Sequence, residues 1–381
     1  MHKLDYGPGA PTMAKITLNL DQLVEPFEAR VVVRKNASGE IIDAHFDLSG
    51  LPRLDPVLVG KPVAEVPDIV KRLCGLCPVA HHLAGIRALD SYYGIAEIPE
   101  TAQLVRALLL HGAIIEQVAW KFVDIDRDTA IATRRYGKAV LAMAGCPGHF
   151  PDVAIPGGVR NAAEMAELDD VAKRVAALPV QTHTEDDFAG LDVAVCTRDG
   201  NLNPLGDFIR AGEKIVPAQE FYDHVIETRP GDPAPRPTFD GQKFRVGPVA
   251  QARLLGESTS PLAAQKALLQ RSLTAVAEIL TQQAVHGGLL HAEKQSPRTG
   301  GVGVVDGPRG LLIHRYDSDG EGNLVSCNIL TPTAQNEWWL SDMLASSLAA
   351  ERIEAAIRAA DPCLPISSAP AGAVNVKVEE A

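Results

Sequence analysis

The stretch KRLCGLCPVAHH, residues 71–82, places two cysteines three positions apart and follows them with two adjacent histidines. A C-x-x-C pair occurs in disulfides, zinc sites, thiol redox couples and larger metal centres. A structural zinc ion needs four protein ligands, and the sequence contains no second C-x-x-C and no H-x₃-H. A thioredoxin-like couple follows a strand, whereas the residues before this pair have helical spacing. The stretch alone leaves a metal centre and a pair of buried, inert thiols open.

Composition limits the class of protein. The chain has 381 residues, 46% hydrophobic and 22% charged, as in a globular protein. Its net charge of −12 argues against a nucleic-acid partner, because phosphate binding needs a basic face. Six cysteines in so long a chain are not a disulfide scaffold. With no apolar signal core and no run of the ~20 residues that span a bilayer, we expect a cytoplasmic protein without membrane insertion.

Hydrophobic spacing predicts a mixed, mainly α chain. Alternating residues predict strands between about residues 14 and 50, and again on both sides of the turn at 317–323. The proline-rich stretch 228–242 is expected to be a loop within one domain, 1–381, whose tail, 370–381, is expected to be flexible. Helical spacing predicts helices at about 99–123, 129–144, 160–178, 262–292 and 334–360.

The cysteine pair belongs to a longer pattern, RLCGLCPVAH (72–81), and DPC (361–363) follows near the end of the chain. Together they resemble the two signatures of the large subunit of nickel–iron hydrogenases, R-x-C-G-x-C-x-x-x-H and D-P-C-x-x-C-x-x-H/R. Five further segments resemble family motifs in the same order. They are LVEPFEARVVV (23–33), GHFPDVAIPGGVR (148–160), VGPVAQARL (246–254), GVGVVDGPRGLLIH (301–314) and PTAQN (332–336).

The resemblance runs from about residue 16 to residue 363 and implies the fold of that family. We therefore expect a hydrogenase large-subunit-like bundle of long helices with small peripheral β elements. The two cysteine motifs are expected to meet deep at one end of the bundle.

The resemblance also implies metal ligands. In the family, four thiolates hold nickel, and the second cysteine of each pair bridges nickel to an iron that carries carbonyl and cyanide ligands. Sulfur ligands suit both metals. By this resemblance Cys74, Cys77 and Cys363 are the expected metal ligands.

Other residues are expected around the cofactor. Arg309 and Thr333 match positions near the diatomic ligands, and His81 matches a histidine that hydrogen-bonds near the iron. Two alternatives stay open: His81 can instead fill the core, and Arg309 can instead pair with an acid such as Asp306. Glu25 matches the proton-relay glutamate, although a structural role is favoured for it here.

The second motif is incomplete. In DPCLPISSAP (361–370) the second cysteine falls on Ile366 and the final histidine on Ala369. Isoleucine has no lone pair, so one bridging thiolate is missing. The family's R-x-E-G-H and the glutamate of E-A-P-R-G are also altered, the latter to Asp306. These losses resemble the HupK/HoxV-type accessory branch of the family, whose members assist assembly of the active site.

From this resemblance we expect a non-catalytic scaffold or carrier, not an enzyme. It would hold an Fe(CN)₂(CO) unit transiently, with nickel unlikely, and would dock hydrogenase maturation proteins and the large-subunit precursor. Two alternatives are a hydrogenase or hydrogen sensor with a modified metal site, and a metal-free docking protein. The remaining residues are expected to be structural: His82, Cys146, Cys196 and Cys327.

Overall fold

The computed structural model describes residues 28–46, 55–72, 75–181, 188–230, 235–257, 260–349, 353–363 and 375–380. The α-helices are α1 Asp55–Leu58, α2 Val66–Val70, α3 Pro78–Tyr92, α4 Glu100–Val118, α5 Arg127–Met143, α6 Ala172–Ala176, α7 Phe221–His224, α8 Pro248–Leu254, α9 Pro261–Leu280, α10 Pro332–Gln335, α11 Glu337–Ala349 and α12 Ile353–Ala360. Short 3₁₀ helices cover Val63–Glu65, Ala119–Phe122, Ala218–Glu220 and Gln283–His286.

The strands are β1 Glu28–Lys35, β2 Ile41–Phe46, β3 Ala154–Ile155, β4 Gly158–Val159, β5 Leu191–Cys196, β6 Phe208–Ala211, β7 Lys214–Pro217, β8 Val225–Glu227, β9 Pro237–Phe239, β10 Gln242–Val246, β11 Gly300–Gly307, β12 Gly310–Ser318, β13 Leu324–Leu330 and β14 Asn375–Glu380. They form sheets of six, three, three and two strands. The six-stranded sheet has the order β7-β6-β5-β10-β9-β8, and only its central β5–β10 pair is parallel.

The main hydrophobic core lies between the long helices. Helix α4 is apolar on most of its circumference because it packs against both α5 and α9. The approach to α5 is close, since a Cβ added at Gly137 would lie 2.5 Å from the backbone nitrogen of Glu116. Two N-caps define where helices begin: Asp126 accepts from the Thr129 N–H, and Ser260 accepts from the Ala263 N–H.

The mainly α description is wrong. The described residues are about 43% helical and 23% strand, and their curled six-stranded sheet makes this an α/β fold. The strands of this sheet are three to six residues long, too short for alternation to stand out in the sequence. Part of the proline-rich stretch also belongs to the sheet: Pro237 opens β9, where a strand tolerates a residue without an N–H.

Several predicted segments differ in extent. The stretch 160–178, predicted as helix, contains only α6 among its residues, and the predicted last helix is divided into α10, α11 and α12. Residues 375–380, in the tail expected to be flexible, form β14 and pair in parallel with β1. In the part of the chain that the structure describes, no helix is long and apolar enough to cross a bilayer.

Strand β11 packs directly on α3, the helix that follows the cysteine pair. Two glycines of β11 make this possible. A Cβ at Gly301 would lie 2.2 Å from the Ala88 carbonyl oxygen, and one at Gly303 would lie 2.1 Å from the Ala84 carbonyl oxygen. The position of α3, and of the residues it carries, therefore depends on the absence of side chains at these points.

We expect Gly303→Ala to lower the free energy of unfolding by about 2–3 kcal/mol, because the new methyl group collides with the α3 backbone, which cannot move without disturbing the core. Gly320→Ala is the matched control, since a Cβ there would meet nothing within 4 Å. Chemical denaturation of both variants is the measurement. Equal stabilities of the two variants would contradict close packing of β11 on α3.

Candidate metal centre

The structure brings the two cysteine motifs together. Cys77 is the N-cap of α3, with Pro78 in the first helical turn, and Cys363 follows the end of α12. Their Sγ atoms lie 3.5 Å apart although the residues are 286 positions apart in sequence. Cys77 is buried and Cys363 is partly buried. Two of the three expected sulfur ligands therefore meet at one point.

Parts of both cysteine motifs lie outside the residues that the structure describes. Cys74, Ile366 and Ala369 lie outside the described residues, as does Glu25. Among the residues that are described, no three His, Cys, Asp or Glu side chains are grouped closely enough to hold a metal ion. The described part of the centre consists of two sulfur atoms.

The distance between these sulfur atoms fits a shared metal ion. A disulfide requires about 2.05 Å, and both cysteines are thiols. Two thiolates that each lie ~2.3 Å from one ion can be at most ~4.6 Å apart, and 3.5 Å is within that limit. Thiolates are suitable ligands for nickel and iron. The two sulfur atoms therefore fit a site for nickel or iron.

Thr333 fixes the backbone of Cys363. Its Oγ1 accepts a hydrogen bond of 2.7 Å from the Cys363 N–H, and Thr333 itself is buried at the start of α10. The hydroxyl thus satisfies a backbone donor that would otherwise be unpaired. The predicted contact of Thr333 with a diatomic ligand stays a prediction.

Arg309 lies in the turn between β11 and β12 and contacts Asp361, two residues before Cys363. Its Nη1 donates to Gln117 Oε1 at 3.1 Å, and its Nη2 donates to Asp361 Oδ1 at 3.3 Å. The acid that pairs with Arg309 is therefore Asp361 rather than Asp306. Asp306 instead accepts from the Val195 N–H at 3.1 Å.

Lys121 is a second cation at this centre, and the sequence did not single it out. Its Nζ donates to Asp361 Oδ1 at 2.6 Å, and burial lowers the pKa of Lys121. Lys121 lies four residues after Gln117 at the end of α4, so helical spacing could have placed both side chains on one face. Asp361, two residues before Cys363, therefore accepts from two cations, Lys121 and Arg309.

His81 lies one helical turn after Cys77, whose carbonyl oxygen accepts the His81 N–H at 3.2 Å. The His81 Nδ1 atom is 3.0 Å from His314 Nε2, and His314 Nδ1 is 2.7 Å from the Tyr316 hydroxyl. His82 is structural, as expected: its Nε2 accepts from the Ala154 N–H at 3.0 Å. Burial lowers the pKa of His82 to about 3, so the ring is neutral.

The three other cysteines stand apart from the centre. Cys146 is buried and donates to the Gly148 carbonyl oxygen at 3.4 Å. Burial raises the pKa of the Cys146 thiol and raises that of Cys196 to about 11. Thiols with raised pKa values are poor nucleophiles and poor metal ligands. The expectation that Cys146 and Cys196 are buried and apolar is confirmed, whereas Cys327 is only partly buried.

Comparisons with known proteins find similarity to hydrogenases. The family described as nickel-dependent hydrogenase matches residues 53–124. A vhu subunit of the F420-non-reducing hydrogenase of Methanocaldococcus jannaschii is 26% identical, covering 81% of this chain and 92% of that protein. The NAD-reducing hydrogenase HoxS subunit beta of Cupriavidus necator is 24% identical, covering 88% of this chain and 91% of that protein.

Solved structures show the same fold. A NAD⁺-reducing [NiFe]-hydrogenase in the H₂-reduced state superposes with a TM-score of 0.68 at 22% identity, covering 88% of this chain and 95% of that one. The reduced Ni-Fe-Se hydrogenase of D. vulgaris Hildenborough gives a TM-score of 0.59 at 16% identity, covering 88% and 95% of the two chains. The fold is that of the hydrogenase large subunit.

Together these comparisons show similarity to nickel-dependent hydrogenase subunits over most of the chain, and the fold of the hydrogenase large subunit. They give no support to the narrower HupK/HoxV accessory type. The expectation that the protein is not an enzyme is wrong, because its relatives are hydrogenase subunits. The expectation that nickel is unlikely is also wrong, because the matching family is nickel-dependent and a neighbouring structure is a [NiFe]-hydrogenase. Both inferences gave too much weight to the missing cysteine at Ile366.

Asp306 makes the stability of the fold beside the centre dependent on pH. Burial raises the pKa of this carboxyl from 3.8 to about 6. Between these values the unfolded chain ionises while the folded chain keeps its proton, so the free energy of unfolding falls as pH rises. The loss amounts to ~3 kcal/mol and is complete above pH ~6.

Asp306→Asn keeps an oxygen that can accept from the Val195 N–H but does not titrate. We therefore expect wild type to lose about 3 kcal/mol of stability relative to this variant between pH ~4 and ~7. Urea denaturation of both proteins across this range measures the difference. Parallel pH profiles for the two proteins would contradict the raised pKa of Asp306.

Proposed function

We propose that this chain is a hydrogenase large subunit with a modified metal site, whose reaction is the activation of dihydrogen. Similarity to hydrogenase subunits over most of the chain supports this class of reaction. The observation that carries the proposal is the 3.5 Å approach of Cys77 Sγ to Cys363 Sγ. This contact joins the two motifs, because Cys77 belongs to the first and Cys363 to the second.

In this proposal Cys77, Cys363 and, by resemblance, Cys74 hold a nickel–iron group. When bound, that group supplies the metal chemistry that splits dihydrogen. The chain's own residues bind and orient it. Lys121 and Arg309 hold Asp361, two residues before Cys363, through hydrogen bonds of 2.6 and 3.3 Å.

The modification is the absence of sulfur at Ile366. With three cysteines in the two motifs instead of four, one coordination position has no protein thiolate. Catalytic metal sites commonly keep a position that is not filled by a protein ligand. A centre with fewer thiolates also carries less negative charge, so we expect it to hold its metals less tightly than a four-cysteine centre does.

The proposed partners follow from what the chain lacks. Its sequence has no iron–sulfur cluster motif, so electrons released from dihydrogen need an electron-transferring small subunit. Insertion of an iron unit with carbonyl and cyanide ligands needs maturation proteins, which remain proposed partners. Localisation in the cytoplasm, where such maturation takes place, remains part of the proposal.

The test is anaerobic purification of the chain from a host that contains hydrogenase maturation proteins. We expect nickel and iron in the same preparation, infrared bands of carbonyl and cyanide, and dihydrogen-dependent reduction of a dye. Cys363→Ser should lower the nickel and iron content, weaken the infrared bands and abolish dye reduction, because it removes one of the two sulfur atoms that meet at the centre.

Cys146→Ser is the matched control: the Cys146 thiol donates to the Gly148 carbonyl oxygen and is not grouped with Cys77 and Cys363 among the described residues, so metal content and dye reduction should be unchanged. Iron without nickel, together with no dihydrogen-dependent reduction in repeated preparations, would overturn the proposed function.

A further inference from the structure

Three hydrogen-bonded side chains lead from the first turn of α3 into the core. They are His81, His314 and Tyr316, joined by contacts of 3.0 Å between the two rings and 2.7 Å between His314 Nδ1 and the phenol oxygen. His314 and Tyr316 are fully buried, and His81 is 6% exposed. The sequence singled out only His81, the first of the three.

The phenol decides which way this chain of hydrogen bonds runs. Within the described part of the protein, the Tyr316 hydroxyl makes one hydrogen bond, to His314 Nδ1. A buried hydroxyl hydrogen without an acceptor costs more than an unused oxygen lone pair, because the donor loses its water and gains nothing. The Tyr316 O–H must therefore donate, and His314 Nδ1 must accept.

The tautomer of His314 then sets the donor and the acceptor in the hydrogen bond between the two histidine rings. Burial holds the pKa of His314 well below its ordinary value, so the ring is neutral and carries a single N–H. With Nδ1 accepting, this N–H is at Nε2 and donates to His81 Nδ1. His81 Nδ1 has no hydrogen of its own, so a neutral His81 carries its N–H at Nε2.

We propose that Tyr316 and His314 are positioning residues that fix His81, one helical turn after Cys77, as the Nε2–H tautomer. His81 and Cys77 are four residues apart, which places them on the same side of the first turn of α3. The tautomer is a property of the metal-free chain. Its use by a bound metal group rests on the proposed function.

The series of hydrogen bonds from Tyr316 to His81 orients the His81 N–H donor and does not conduct protons. A proton path needs a group that passes the proton on at each end, and Tyr316 has no second hydrogen-bond partner among the described residues. The neighbouring phenol Tyr92 accepts from the Ser318 hydroxyl at 3.2 Å and is not joined to Tyr316. Outer hydrogen bonds of this kind set the orientation and donor strength of groups around metal–sulfur centres.

The test is ¹⁵N NMR of metal-free protein labelled in histidine, which distinguishes protonated from unprotonated ring nitrogens. His81→Gln and His314→Gln assign the signals. In wild type we expect Nε2 protonated and Nδ1 unprotonated in both rings. In Tyr316→Phe the donor is lost, so both rings should become mixtures of tautomers.

Tyr92→Phe is the matched control, because it removes a buried hydroxyl that is not hydrogen-bonded to His81, His314 or Tyr316. Both histidine rings should keep their wild-type tautomers. A wild-type His81 protonated at Nδ1, or unchanged tautomers in folded Tyr316→Phe, would overturn the assignment. If Tyr316→Phe fails to fold, as circular dichroism would show, the wild-type tautomers decide the question alone. If metal-free protein shows the expected tautomers but matured wild-type protein does not reduce the dye, the result would count against the proposed function and not against the tautomer assignment.

Discussion

The contact between Cys77 and Cys363 is the constraint on which the functional centre depends. It joins sulfur atoms 286 residues apart at a distance of 3.5 Å, so nearly the whole fold has to be in place before the centre exists. Helix α3 carries one cysteine and is held by β11 through glycines that permit backbone contact. The other cysteine is held by the Thr333 hydroxyl. A displacement of either support would separate the thiols.

Charge is arranged around one carboxylate. Asp361 lies in the left-handed region with φ 48° just after α12, and it accepts from both Lys121 and Arg309. Burying three charges is costly, and the cost is recovered only when the geometry and the hydrogen bonds are good. This grouping ties the end of α4, the β11–β12 turn and the C-terminal motif together next to the sulfur atoms. It therefore fixes the position of the C-terminal motif relative to α4 and the β11–β12 turn.

The sequence predicted the hydrogenase large-subunit-like fold and the approach of the two motifs, but not the strand content of the fold. Cys77 and Cys363 were expected to meet because their two motifs resemble the signatures of one family, whereas the C-x-x-C spacing alone left several kinds of site open. The six-stranded sheet was missed since its strands are short and partly cross a proline-rich stretch. The partner of Arg309 and the role of Lys121 depend on tertiary contacts between distant segments. Periodicity within one segment does not contain that information.

The central claim is that Cys77 and Cys363 share one nickel-containing centre. X-ray absorption at the nickel edge, on protein matured and purified anaerobically, tests it most directly. We predict nickel with sulfur neighbours, and fewer sulfur neighbours in nickel that remains after Cys363→Ser. Nickel surrounded only by nitrogen and oxygen, or the same sulfur coordination in both proteins, would contradict it.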